Sequence, residues 1–183
     1  DKPYRVGQRI VAKGHDGIVE EIGLRSTRIR LLTGHLTTIP NDEMAKIDIE
    51  NIGQRPHIRR KTNIGITYDT PPEKIEKAVD IILQILDNHE GMEPEFTPRS
   101  CFNEYDPYSL NILVIYWYHP ADYWDYMKFS QGVNLQIARE FQKEGIKFAF
   151  PTSTTFLSQE DNQPLFVNLD RSLSLDQEKA QTE

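Results

Sequence analysis

The 183 residues contain one cysteine, two tryptophans and no long apolar run. Cys101 has no intrachain disulfide partner, and no Cys/His zinc spacing occurs. The longest unbroken apolar stretch, Ile112 to Tyr118, is far short of the roughly 20 residues that span a bilayer as a helix. Neither a signal peptide nor a glycine-rich phosphate loop is present, since Gly14-x-x-Gly17 lacks the lysine and the following helix that such a loop needs. Mean hydropathy is −0.58. These absences point to a soluble polypeptide with cytoplasmic chemistry, and because it begins at aspartate it is expected to be a piece of something longer.

What is present is a chain with 38% apolar and 27% charged residues, ample for a packed core. Its net charge of −7 is unevenly spread. Up to Ile64 there are 12 Lys+Arg against 8 Asp+Glu, a net of +4; beyond it there are 9 against 20, a net of −11. Two surfaces with different neighbours would account for this, and so would two unrelated solvated faces.

From Tyr4 to Asn51, short alternating runs are broken at Gly14-His-Asp-Gly17, Gly23 and Thr33-Gly34-His35, a pattern that predicts a small antiparallel β domain. Lys46 to Ile52 supplies a closing strand. After Gly53-Gln-Arg-Pro56 the pattern changes. A strand from Lys61 precedes a helix starting at the capping-box pattern Thr70-Pro-Pro-Glu73, with Ile75, Ala78, Val79, Ile82, Leu83 and Leu86 on one stripe. A hairpin, Ser100 to Tyr105 and Leu110 to Tyr118, follows. The second helix should be capped by Asp122, bury Val133, Ile137 and Phe141, and stop at Gly145, with Gly132 as its weak point. A final segment from Lys147 contains Pro151. The order strand, helix, strand, strand, helix, strand is that of a ferredoxin-like sandwich, so the fold class is α+β.

Catalytic chemistry finds little support. Cys101 could pair with a histidine, but no local pattern supports it, and a lone cysteine is commonly a small buried hydrophobe. His15 and His35 read as solvated turn residues, and His57, His89 and His119 share no ligand spacing. Glu20 and Glu21 are expected on opposite strand faces. No metal or cofactor is expected and the chain is not read as an enzyme. Arg25, Arg28 and Arg30 raise RNA binding as a rival, which the acidic remainder and the missing aromatic stacking platform disfavour.

Three strings decide the reading: Tyr4-Arg-Val-Gly7-Gln-Arg-Ile, Gly17-Ile-Val-Glu-Glu-Ile-Gly-Leu-Arg-Ser-Thr27 and Thr38-Ile-Pro-Asn41. With Ile66-Thr-Tyr-Asp-Thr-Pro71 and Gly145-Ile-Lys-Phe-Ala-Phe-Pro151, they resemble the small-conductance mechanosensitive channel (MscS-like) family over everything except the tail. The resemblance implies an Sm-like β domain over 1–56, a ferredoxin-like α/β domain over 57–147, and a strand of an intersubunit β barrel over 148–157 that carries Phe148, Phe150, Pro151 and Phe156. The remainder, 158–183, is polar and acidic and is expected to be disordered. It further implies a homoheptameric cytoplasmic vestibule with side portals, permeating ions, and attachment to the inner membrane through transmembrane helices before Asp1. Asn41 is then a candidate for coupling to the gate, with a plain turn residue as the alternative. Arg59, Arg60 and Lys61 are candidate portal charges, with solvated linker residues as the alternative. No nucleic-acid partner is expected; the rival function is a free-standing ring-forming RNA- or ligand-binding domain.

Overall fold

A computed structural model describes residues 3–152. The first five strands are β1 (Arg9–Ala12), β2 (His15–Ile22), β3 (Ser26–Leu31), β4 (Leu36–Pro40) and β5 (Ile49–Asn51), with a one-turn helix α1 (Asn41–Met44) between the last two. They form one antiparallel sheet in the order β4-β3-β2-β1-β5, the closing strand lying beside the first as the Sm-like arrangement requires. Alternation explains the face that is buried: Ile10, Ala12, Val19, Ile29 and Ile39 point inward with Tyr4 and Met44. Gly17 lets β2 approach β3 closely, since a Cβ there would lie 2.3 Å from the Arg30 carbonyl oxygen.

A bulge between Val19 and Glu21 corrects one expectation. Glu20 and Glu21 do not alternate faces; the extra residue leaves both exposed on the face that carries Arg30 and Arg28, at 2.9 Å from each.

Through a short 3-10 turn at Ile52–Gln54 the chain enters β6 (Ile58–Ile66), α2 (Pro72–Leu86), β7 (Arg99–Tyr105), β8 (Leu110–Tyr118) and α3 (Tyr123–Glu144). The sheet order is β6-β8-β7, antiparallel throughout, and Phe148 bridges Ile66 on the outer edge of β6. The last segment therefore takes the fourth position of a ferredoxin-like sheet, in spatial order four, one, three, two. The core lies between the sheet and the two helices, around Ile66, Ile82, Leu86, Ile112, Val114, Tyr116, Val133, Ile137 and Phe141.

Helix α3 starts and stops where its sequence dictates. The Asp122 carboxylate accepts from the Asp125 N–H at 2.9 Å, and Gly145 takes the left-handed conformation at φ 69°. Helix α2 does not use the capping box: Pro71 occupies the cap without a side-chain bond, and the Thr70 hydroxyl lies 3.3 Å from that of Thr67 instead. β6 begins three residues before Lys61 because Ile58 is buried opposite Tyr118. Cys101 is exposed rather than buried. No described helix is long and apolar enough to cross a membrane.

Candidate functional site

Asn41 follows Pro40, whose extended backbone ends β4 and turns the chain into α1. Its side-chain nitrogen donates to the carbonyls of Gly23 and Leu24 at 3.0 and 3.2 Å, and its backbone N–H donates to Arg25 at 2.9 Å. Its side-chain oxygen accepts from the Thr27 hydroxyl at 2.9 Å. Because the Thr27 proton is used there, the Tyr4 hydroxyl, 3.2 Å away, donates to Thr27. Thr27 is fully buried. Asn41 thus fastens the β2–β3 loop to the start of α1, and the loop it holds presents Leu24 at 97% exposure.

The three basic residues of β6 separate by strand alternation. Arg60 is directed to the helix side, where its guanidinium donates to the Tyr116 hydroxyl at 3.0 Å and to Asn134 on α3 at 2.9 Å, and lies 5.7 Å from the Tyr116 ring centroid. Tyr116 in turn is 2.8 Å from the Ser130 hydroxyl. This side chain ties β6 to α3. Arg59 and Lys61 sit on the opposite face, exposed, opposite Trp117 and Ile115 of β8. Arg99 lies opposite the same Ile115 from β7, so the sheet brings it to the row of Lys61. Sequence reasoning missed Arg99 because only the strand register makes it a neighbour. Among the described residues, Arg59, Lys61 and Arg99 make no ion pair.

Along the outer edge of β6, the Thr67 N–H donates to Lys147 at 3.1 Å and the Ala149 N–H to Gly65 at 2.9 Å. The Phe148 ring stacks on Phe141 at 5.4 Å between centroids while remaining half exposed. Phe150 and Pro151 are exposed and outside regular structure, and Phe156 lies outside the described residues. No group of three His, Cys, Asp or Glu among the described residues is placed to hold a metal ion.

Two family models match in tandem: "Mechanosensitive ion channel, beta-domain" over residues 1–54 and "Mechanosensitive ion channel MscS, C-terminal" over residues 61–148. The chain belongs to the MscS family of mechanosensitive ion channels. The small-conductance mechanosensitive channel MscMJ of Methanocaldococcus jannaschii is 44% identical over 161 residues, covering 88% of this chain and 45% of the relative. The low conductance mechanosensitive channel YnaI of Escherichia coli is 31% identical over 160 residues, covering 86% and 46%. The MscS chain therefore spans less than half the length of these curated relatives. Among solved structures, closed-state Helicobacter pylori MscS matches with a TM-score of 0.71 at 20% identity, over 86% of this chain and 60% of that one. Arabidopsis thaliana MSL1 matches at 0.74 and 16% identity, over 82% and 54%. These similarities share the fold.

Proposed function

We propose that this MscS-family region forms the cytoplasmic vestibule of a mechanosensitive channel: a homoheptameric ring beneath an inner-membrane pore, with side portals that filter solutes. The observation that carries the reading is the tandem match of the MscS beta-domain model over 1–54 and the MscS C-terminal model over 61–148. Asn41 is the coupling residue. A loop held by three hydrogen bonds transmits displacement, whereas a loose one absorbs it, and the exposed Leu24 is the contact it offers. Arg59 and Lys61 are the portal charges, with Arg99 added and Arg60 assigned to holding α3. Phe148, Phe150, Pro151 and Phe156 belong to the terminal strand. A segment that already pairs with one edge of β6 and continues past Pro151 removes a free sheet edge by closing a barrel with its copies.

The rival reading, a free-standing RNA- or ligand-binding ring, is weakened at two of its three arginines. Arg28 and Arg30 each face a carboxylate of β2, which a phosphate would have to displace, whereas Arg25 makes no ion pair among the described residues.

The test is a chimera in which this chain replaces the matching C-terminal region of the M. jannaschii relative, recorded in membrane patches under suction. Tension-activated conductance is expected. A chimera that assembles in the membrane yet never opens before the patch ruptures would overturn the reading.

A further inference from the structure

Three of the five histidines lie about one end of the three-stranded sheet. His57 precedes β6 and His119 follows β8, and because Ile58 pairs with Tyr118 the two histidines are neighbours in register. From the loop after α2, Glu93 reaches both: its two carboxylate oxygens lie 3.3 Å from His57 Nδ1 and 3.5 Å from His119 Nδ1. His57 Nδ1 is buried without a hydrogen-bond partner, and its ring packs on Phe96 at 4.5 Å. His119 Nδ1 is 2.8 Å from the Pro56 carbonyl, which can only accept, so that nitrogen carries a proton and the free lone pair of the neutral ring is on Nε2. The His119 backbone N–H donates to Gly91 at 2.8 Å, and a Cβ at Gly91 would collide with the His119 carbonyl at 2.6 Å. The third ring, His89, is buried between Tyr116 and Phe129 and faces the Glu90 carbonyl, apart from this cluster.

Two imidazoles thus share one carboxylate at the point where the chain passes from the five-stranded sheet to the three-stranded one. With both rings neutral the trio carries one negative charge; one proton cancels it, and a second reverses it. Imidazole is the side chain whose ordinary titration falls between about pH 5 and 8. We propose that His57, His119 and Glu93 form a proton-operated clasp that fastens the loop of residues 87–98 to the connecting segment Arg55-Pro56-His57, tightening as pH falls. A proton on His57 makes both ring nitrogens donors, so Nδ1 meets Glu93 as a charged donor whichever nitrogen held the hydrogen of the neutral ring. A proton on His119 strengthens the bond to Pro56 and adds attraction to Glu93.

The charged groups on adjoining segments leave this balance to Glu93. Arg55 and Arg59 flank His57 in the chain, Glu90 and Glu95 lie in the loop, Asp122 caps α3 and Arg99 opens β7. Glu93 alone among the described residues lies within ion-pair distance of either ring. The sign follows from charge: the attraction requires an imidazolium, so added protons strengthen it and their removal weakens it. By linkage, solution protons bias how firmly the connecting segment is held. The inference concerns the fold and does not rest on the channel reading.

Amide hydrogen exchange of the 183-residue chain between pH 7.8 and 5.8, normalised for intrinsic exchange chemistry, tests it while carboxylates as a class remain ionised. Peptides covering residues 52–58 and 87–98 should gain about three- to tenfold protection on acidification, while peptides of the five-stranded sheet do not change. Glu93→Gln should abolish the gain. His119→Asn, which keeps a donor for Pro56 without titrating there, should reduce it, and serves alone if Glu93→Gln does not fold. An unchanged pH response in either folded variant, or protection that does not rise on acidification in the parent chain, would overturn the clasp.

Discussion

Asn41 follows β4, opens α1 and fastens the loop between β2 and β3. Its amide nitrogen and oxygen are not interchangeable there: the nitrogen faces two carbonyls and the oxygen faces the Thr27 hydroxyl. Asn41→Asp keeps the acceptor but sets a carboxylate against the Gly23 and Leu24 carbonyls, and Asn41→Ala leaves all three partners unmet. Each substitution should cost about 1–3 kcal/mol, read as a lower urea midpoint at unchanged slope. Asp16 offers a pH test at the same scale. The hydrogen bond from Arg9, aided by its charge, holds the Asp16 carboxyl below the usual range through two bonds of 2.8 and 2.7 Å. A depressed carboxyl contributes stability above its unfolded value near about 4, and that contribution is lost as pH falls through the lower folded value. Both side chains remain about a third exposed, at 31% and 37%, so solvent screening limits the pair to well under about 1 kcal/mol. Asp16→Asn should therefore be slightly less stable than the parent at pH 7, and urea curves should converge as pH is lowered from about 4 to 2.

At the scale of elements, α3 is the place where sequence and structure agree atom by atom, and it also holds the clearest improvement. Asp122 and Gly145 fix its ends, yet Gly132 sits mid-helix with nothing within 4 Å of a built Cβ. Gly132→Ala should raise stability by about 0.5–1 kcal/mol, visible as a higher midpoint in thermal unfolding, because alanine loses less backbone freedom on folding and meets no neighbour. Local chemistry made this helix legible: caps, period and stop residue are all written within it. The same holds for β1 to β4, where alternation and glycine breaks act over a few residues. Features that depend on a partner were not legible. The bulge at Glu20 exists only against β3, and the start of β6 was hidden because Arg59-Arg60-Lys61 obscures an alternation that Ile58 and Tyr118 reveal once paired. Proline displaced the expected cap of α2 by one residue, since the chain enters that helix through Pro71 and Pro72. In the candidate site, the sequence marked Asn41 and the basic run, but it could not show that Asn41 grips a loop 17 residues away, that Arg60 turns from its neighbours, or that His57 and His119 share Glu93.

Across the whole molecule, the net +4 of the basic segment is not carried by all of its cations. Arg9, Lys13, Arg28 and Arg30 are each paired with a carboxylate of that same segment, so the excess positive charge falls on its other cations. Arg59 and Lys61 are cations of that segment without ion pairs among the described residues, on a face that Arg99 extends. Such charges act on passing ions through their field, which reaches about 30 Å at 0.01 M salt and only about 8 Å at 0.15 M. Arg60 acts through contact and its effect should not depend on salt in the same way. The two roles separate by mutation. Arg59→Gln with Lys61→Gln should leave unfolding stability within about 0.5 kcal/mol, because among the described residues neither side chain makes a hydrogen bond or ion pair to lose. In patch recordings of the chimeric channel it should shift the reversal potential in asymmetric dilute salt away from anions, and the shift should fade as ionic strength rises. Arg60→Gln should do the opposite, costing about 0.5–1.5 kcal/mol of stability through the lost bonds to Tyr116 and Asn134, since Tyr116 keeps Ser130 and Asn134 keeps solvent, while leaving the dilute-salt ion preference nearly unchanged. If the double substitution leaves the reversal potential unaltered at 0.01 M salt, Arg59 and Lys61 are solvated strand residues with no part in selecting ions.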